Sequence, residues 1–288
     1  MNLIHKIILY VFLFVLSVQV KAQSFKVTPS SIGFNLNAGE SGSQTITVEN
    51  TSDKVGSFVV SASDYDFDED GKMRFMPPGT SKNSCSPYLT VTPSYITVNP
   101  NETVKVNVLM KVPRGPVKTS WGIVSIRAER EYTGVTADKD VVTAGLIITP
   151  EIAVKVLETP PGLTFQQMVI KDMVEVGPGE GGPTRVFQVK IANEGEVKSK
   201  AKLYLTASNY ETLHEITTEP VEVNVLPGVN AFVKLPLPGG LPSGAYSLAA
   251  IMDYGAEYDL EGIEMEIQVR EEGPQGVSNQ QEGGGHEQ

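Results

Sequence analysis

The sequence predicts an all-β protein made of two tandem sandwich modules behind a cleaved signal peptide. Three observations carry that prediction. Apolar residues alternate with polar ones in short runs, glycine and proline punctuate the gaps, and one series of strands occurs twice in the same order. No stretch of the mature chain holds a convincing 3.6-residue apolar period.

The N-terminal stretch "MNLIHKIILYVFLFVLSVQVKA" reads as an export signal. Lys6 precedes an apolar run from Ile7 to Val18, and Val20-Lys21-Ala22 offers the small or apolar residues that signal peptidase accepts before a break. The run is shorter than the ~20 residues of a comfortable membrane span. Cleavage is therefore expected after Ala22, leaving Gln23 as the mature N-terminus with no cysteine for a lipid anchor there. No second hydrophobic span is found, so no integral membrane segment is expected.

Lys6 and Lys21 leave with the signal, which takes the net charge from −11 to −13. That balance disfavours nucleic acid, whose binding rests on neutralising phosphates. Cys85 is the only cysteine, so no intramolecular disulfide is available. The only histidines are His5 in the signal, His214, and His286 in the tail. Most acid–base and zinc chemistry is starved of its residues, and neither cofactor nor metal is expected.

The strands justify themselves in order. Ile46 and Val48 alternate with Thr45, Thr47 and Glu49; Val104, Val106, Val108 and Met110 alternate with Lys105, Asn107 and Leu109. Phe187, Val189 and Ile191 alternate with Gln188 and Lys190, and Val221, Val223 and Val225 with Glu222 and Asn224. Such alternation buries one face of a strand and wets the other.

The series then repeats. "VENTSDKVGSFVVSASDY" from Val48 matches "IANEGEVKSKAKLYLTASNY" from Ile191. "VNPNETVKVNV" from Val98 matches "VLPGVNAFVKL" from Val225, and "VPRGPVKTSWGIVSI" from Val112 matches "LPSGAYSLAAIMDY" from Leu241. Two copies of one module, each of roughly 100 residues, fit immunoglobulin-like sandwiches. The expected division is residues 23–157, a linker at 158–162 stiffened by Pro160 and Pro161, and a second module at 163–270. Residues 271–288 hold one large apolar side chain, Val277, and are expected to stay unfolded.

"DYDFDEDGKMRFMPPGT", from Asp64, raises the question of a metal. Asp66, Asp68, Asp70 and Gly71 copy the opening of a calcium loop. Counted from Asp66, however, position twelve is Pro77, where an EF-hand needs a bidentate carboxylate. A hairpin accounts for the stretch better. With Glu69-Asp70-Gly71 as a three-residue loop, Asp68 faces Lys72 and Asp66 faces Arg74, while Phe67 meets Met73 and Tyr65 meets Phe75. His214 reads as a surface residue, Cys85 as a packed thiol without an activating base, and Trp121 as a core residue. No phosphate loop or catalytic serine motif is found, so no enzyme is expected.

"DVVTAGLIITPEIAVKVLE", Asp140–Glu158, is the last strand of the first module. Ile152, Val154 and Val156 alternate with Glu151, Ala153 and Lys155, but Leu146, Ile147 and Ile148 are apolar in succession. A strand apolar on both faces is covered twice. Either a loop or the second module supplies the second cover, or the strand is an edge that meets a partner through its main chain. On the second reading Leu146, Ile148, Ile152 and Val154 are the expected contacts.

The run "FKVTPSSIGF…TITVENTS…YLTVTPSYITVNPNETVKVNVLMKVP…SWGIVSIRAE" resembles the N-terminal domain of periplasmic pilus-assembly chaperones of the PapD type. The first strand, the strand ending in Asn50-Thr51-Ser52, and the block around Pro93 and Pro100 carry the resemblance. The same features resemble the two-domain surface proteins that accompany WxL-domain proteins. The chaperone resemblance implies a periplasmic protein that binds a client: a surface or pilus-type subunit, or a secretion component. It also implies an arginine on the first strand and a lysine on the last that hold the client's terminal carboxylate. "PSSIGFNL" has no arginine, and Lys155 lies about two residues late but on the same strand face. The alternative implied by the second resemblance is a structural surface or cell-wall-binding protein.

Overall fold

Burial alternates with period two along most strands, as the sequence alternation requires. The computed structural model describes residues 25–129, 149–178 and 185–270. It divides into two compact units that hand over at Leu163 and Thr164, the first excluding the turn Phe67–Lys72.

The first unit contains β1 (Phe25–Thr28), β2 (Ser31–Phe34), β3 (Ser41–Asn50), β4 (Gly56–Phe67), β5 (Met73–Met76), β6 (Leu89–Thr92), β7 (Tyr95–Val98), β8 (Thr103–Lys111), β9 (Ser120–Ala128) and β10 (Glu151–Glu158). One sheet runs β1-β3-β8-β6; the other runs β2-β10-β9-β4-β5, with β7 also paired to β4. The first strand is split between the sheets. β1 lies antiparallel to β3, and β2 lies parallel to β10. Pro29, which has no amide hydrogen to give a ladder, stands at the break. Phe25, Ile46, Val48, Val106, Val108, Val124, Ile126 and Val154 are fully buried between the sheets. The Phe25 and Phe58 rings meet at 4.7 Å, tilted by 54°. Each such side chain contributes roughly 1.5–3 kcal/mol by leaving water.

The second unit contains β11 (Met168–Pro178), β12 (Arg185–Asn193), β13 (Ser199–Asn209), β14 (Glu215–Thr217), β15 (Val221–Val225), β16 (Asn230–Leu237), β17 (Gly244–Asp253) and β18 (Glu261–Val269). Its sheets are β11-β12-β16 and β14-β13-β17-β18, with β15 also paired to β13. Phe187, Val189, Ile191, Leu203, Leu205, Tyr246, Leu248 and Met252 are fully buried. The fold class is all-β, with immunoglobulin-like sandwiches.

The repeat read in the sequence holds at single hydrogen bonds. Asn50 Nδ2 donates to Lys54 O at 2.7 Å and Val98 O at 2.9 Å. Its counterpart Asn193 donates to Val197 O and Val225 O, both at 2.8 Å. Asn101 N–H donates to Asn50 O as Gly228 N–H donates to Asn193 O. Asn101 and Gly228 both take positive φ, 59° and 73°, which only asparagine and glycine adopt readily. A third pair is Asp64 and Asn209, buried at matching positions of the "AS(D/N)Y" motif, Asp64 three residues before the end of β4 and Asn209 at the end of β13. Asn209 Oδ1 accepts from the amides of Glu211 and Thr212. In the first unit the equivalent acceptor is a full carboxylate with partners farther along the chain.

Candidate partner-binding edge

Strand β10 pairs along its whole length with β9, from Glu151 opposite Arg127 to Glu158 opposite Ser120. Its other side is covered only in part. β2 pairs with Lys155 to Glu158, and Lys155 N–H donates to Ser30 O at 3.1 Å. Main-chain direction alternates along a strand, so the N–H and C=O of Ala153 and Glu151 point to the same side as those of Lys155. Pro150 O, one residue earlier, faces the opposite way and accepts from Ala128 N–H. Among the described residues no strand lies beside Glu151 to Val154 on that side. The strand is thus half closed and half open among the described residues.

The expected contact residues separate accordingly. Val154 is fully buried in the core, and Ile152 is half-buried against it. Val154 is therefore corrected from partner contact to anchor: the even-numbered side chains point inward, as Val156 does. Lys155 is exposed, on the outward face with Glu151 and Ala153, and stands opposite Ile123 and Ser31. Leu146 and Ile148 lie outside the described residues.

The outer face beside the open half carries a hollow of about 180 Å³ lined by Ser63, Phe75, Ile123, Ser125, Glu151 and Ala153. Phe75 is 66% exposed at its rim. β9 is buried on both faces from Ser120 to Ile126. The connection between β5 and β6 covers its beginning: Cys85 N–H donates to Trp121 O at 3.0 Å and Trp121 N–H to Asn83 O at 2.8 Å. Trp121 itself is fully buried, its Nε1 donating to Tyr65 O at 3.1 Å.

Asp64 fastens that connection. It is fully buried and accepts from Ser81 N–H at 2.9 Å, Ser84 Oγ at 2.6 Å and Ser86 Oγ at 2.5 Å. A buried carboxylate needs such donors to offset its lost hydration. Burial first, and the Asp64 charge next, push the neighbouring Cys85 thiol up to about 12. A thiol so disfavoured from ionising is a poor nucleophile and a poor metal ligand. At the far end of β10, Glu158 is 2% exposed. Its Oε1 accepts from Leu36 N–H at 3.0 Å, while Oε2 has no partner. Burial pushes this carboxyl up, against the smaller downward pull of the Leu36 amide.

The aspartate-rich stretch is a hairpin with the predicted loop. Asp68 N–H donates to Lys72 O, and Gly71 takes φ 74°. Asp68 Oδ1 accepts from the amides of Asp70 at 3.1 Å and Lys72 at 2.9 Å. Among the described residues no group of three or more His, Cys, Asp or Glu is placed to hold a metal ion. His214 is exposed. No helix among the described residues is long and apolar enough to cross a membrane.

Residues 34–156 match the model of an Fn3-like domain. No curated protein sequence matches the chain. Among solved structures it is similar to the class 5 fimbriae chaperone CfaA, at 12% identity and a TM-score of 0.45, covering 84% of this chain and 98% of that one. It is similar to the E. coli chaperone DraB, at 14% identity and a TM-score of 0.41, over 86% and 98% of the two chains. The third is the CsuC–CsuE chaperone–tip adhesion subunit pre-assembly complex from the archaic chaperone–usher Csu pili of Acinetobacter baumannii. There the identity is 10%, the TM-score 0.43 and the coverage 84% and 98%. Each of these structures matches most of the chain, whereas the Fn3-like match spans residues 34–156 alone.

Proposed function

We propose that this is an exported, non-enzymatic protein that binds another polypeptide through the open half of β10. It serves in the periplasm as a chaperone or accessory subunit for assembly of a surface or secretion structure, with its signal peptide removed after Ala22. The observation that carries the reading is the side of Glu151 to Val154 that no strand among the described residues pairs with, next to a strand half that β2 already closes. A client strand laid there meets two residues' worth of main-chain donors and acceptors, Glu151 and Ala153. Its outward side chains pass over the small Ala153 toward Phe75 and Ile123. Main-chain bonds then supply affinity and the hollow supplies selectivity. The sequence resemblance to pilus-assembly chaperones agrees with this role.

Proline at position 153 tests it. The amide it removes faces the open side, so no bond to β9 is lost, and an edge position tolerates proline. The Ala153→Pro protein is expected to keep its thermal midpoint within a few degrees and to lose co-purification of the client seen with wild type. Retention of the client by a folded Ala153→Pro protein overturns the reading.

A further inference from the structure

The counterpart of β10 in the second unit is β18, since each pairs with the matching strand of the repeat, β9 or β17. The two differ in what lies on their other side. In the first unit the opening strand splits and lends β2 to β10, whereas β11 stays with β12 from Met168 to Pro178, nine of its residues pairing around two register shifts. β18 therefore pairs with β17 over nine residues and, among the described residues, with no strand beyond it.

The direction of its main chain follows from neighbouring bonds. Tyr210 N–H donates to Ala245 O at 3.1 Å, so Ala245 turns toward β13. Its register partner Gln268 then turns away from β17. Arg185 confirms this, since its Nη1 donates to Gln268 O at 3.0 Å. That guanidinium is held in turn by two bonds to Glu175, at 2.7 and 2.8 Å, and lies 5.4 Å over the Phe187 ring. One end of the edge is thus capped. Alternation turns the N–H and C=O of Glu266, Glu264 and Gly262 the same way as those of Gln268, with no strand to receive them among the described residues.

The side chains on this edge decide what it accepts. Glu264 and Glu266 are exposed on the outward face, and no lysine or arginine lies between Glu261 and Val269. Glu264, opposite Ala249, accepts from Ser247 Oγ, and Glu266, opposite Ser247, accepts from Tyr210 Oη at 3.5 Å. A second copy pairing antiparallel would set these carboxylates against one another, and like charges directly opposite are destabilising. A strand with lysine or arginine at alternate positions meets them with opposite sign. We infer that β18 is a second docking edge, for an extended basic segment of another polypeptide that pairs with Gly262, Glu264 and Glu266. This surface is separate from β10 and stands whether or not β10 binds a client.

The test is a titration of the isotope-labelled full mature chain with a peptide of about ten residues alternating lysine and valine, followed by amide NMR. The expected result is shifts and slowed exchange at Gly262, Glu264 and Glu266. Affinity should be roughly tenfold or more above that for a glutamate–valine peptide. N-methylation of the peptide at alternate residues should weaken it, and Glu264→Lys with Glu266→Lys should reverse the preference while the fold is kept. Equal binding of the two peptides, undiminished binding of the N-methylated one, or changes mapping away from β18 overturns the inference. So does concentration-dependent protection of these amides without peptide, which marks self-pairing.

Discussion

The paired asparagines offer the sharpest measure of how the repeat is held together. Asn50 is 1% exposed and its amide serves two carbonyls, Lys54 O and Val98 O, while Oδ1 receives Ser52 N–H at 3.0 Å. Alanine at this position removes four bonds, the fourth from Ser52 Oγ to Oδ1 at 2.7 Å, and leaves the buried Val98 carbonyl without its donor. At about 1 kcal/mol for each net hydrogen bond, and more for a buried group left alone, the loss is about 2–4 kcal/mol. Asn193 is also 1% exposed and both of its donor bonds are buried, so Asn193→Ala is expected to cost at least as much. Aspartate is the discriminating substitution. It keeps the acceptor and the volume but presents oxygen to two carbonyl oxygens, so Asn50→Asp falls to the alanine level or below. Urea unfolding reads the effect, with Trp121, the only tryptophan, reporting the first unit and far-ultraviolet circular dichroism reporting both. With a slope of roughly 2–3 kcal/mol per molar, a loss of about 3 kcal/mol lowers the midpoint by about 1 M or more. A loss under about 1 kcal/mol, or an Asn50→Asp protein as stable as wild type, refutes the role assigned to these bonds.

Two further outcomes follow from buried groups. Glu158 has a folded-state pKa raised above its ordinary 4.5. Its neutral form is the one the fold favours, so its stabilising contribution is present at pH below 4.5 and is lost as pH rises through the higher folded value. Glu158→Gln should flatten that fall, compared as urea midpoints at pH 5 and 8; an unchanged pH profile contradicts the assignment. Cys85, fully buried and pushed up to about 12, should resist iodoacetamide in the native protein at pH 8 and react once urea unfolds it. Rapid native labelling rules out that burial.

Much of the fold was legible because period-two patterning and turn residues act locally. The hairpin loop at Glu69-Asp70-Gly71 and the matching of Val98 with Val225 needed only spacing and charge sign. What escaped the sequence depends on contacts far along the chain. Asp64 looked like one more aspartate of a hairpin, yet its donors lie 17 to 22 residues on, in a serine-rich connection with no pattern of its own. Val154 was placed on a partner-facing strand because alternation fixes which residues share a face but not which face is inward. Ile152, Val154 and Val156 do share a face, and Val154, expected at the partner, lies in the core on it. The half-open character of β10 rests on β2, more than 100 residues earlier, which closes one half and leaves the other. Phe75 alternates as a core residue would, and stands exposed because β5 is an edge four residues long.

The open half of β10 is proposed to receive a partner strand. Site-specific photo-crosslinking in the producing cell tests it most directly, with the probe at the exposed Glu151 and a control at the exposed Lys105 of β8. Strand docking at β10 gives one dominant adduct from position 151, none from position 105, and loss of the adduct when Ala153→Pro is added. Equal labelling from both positions, or an adduct that survives Ala153→Pro, contradicts it.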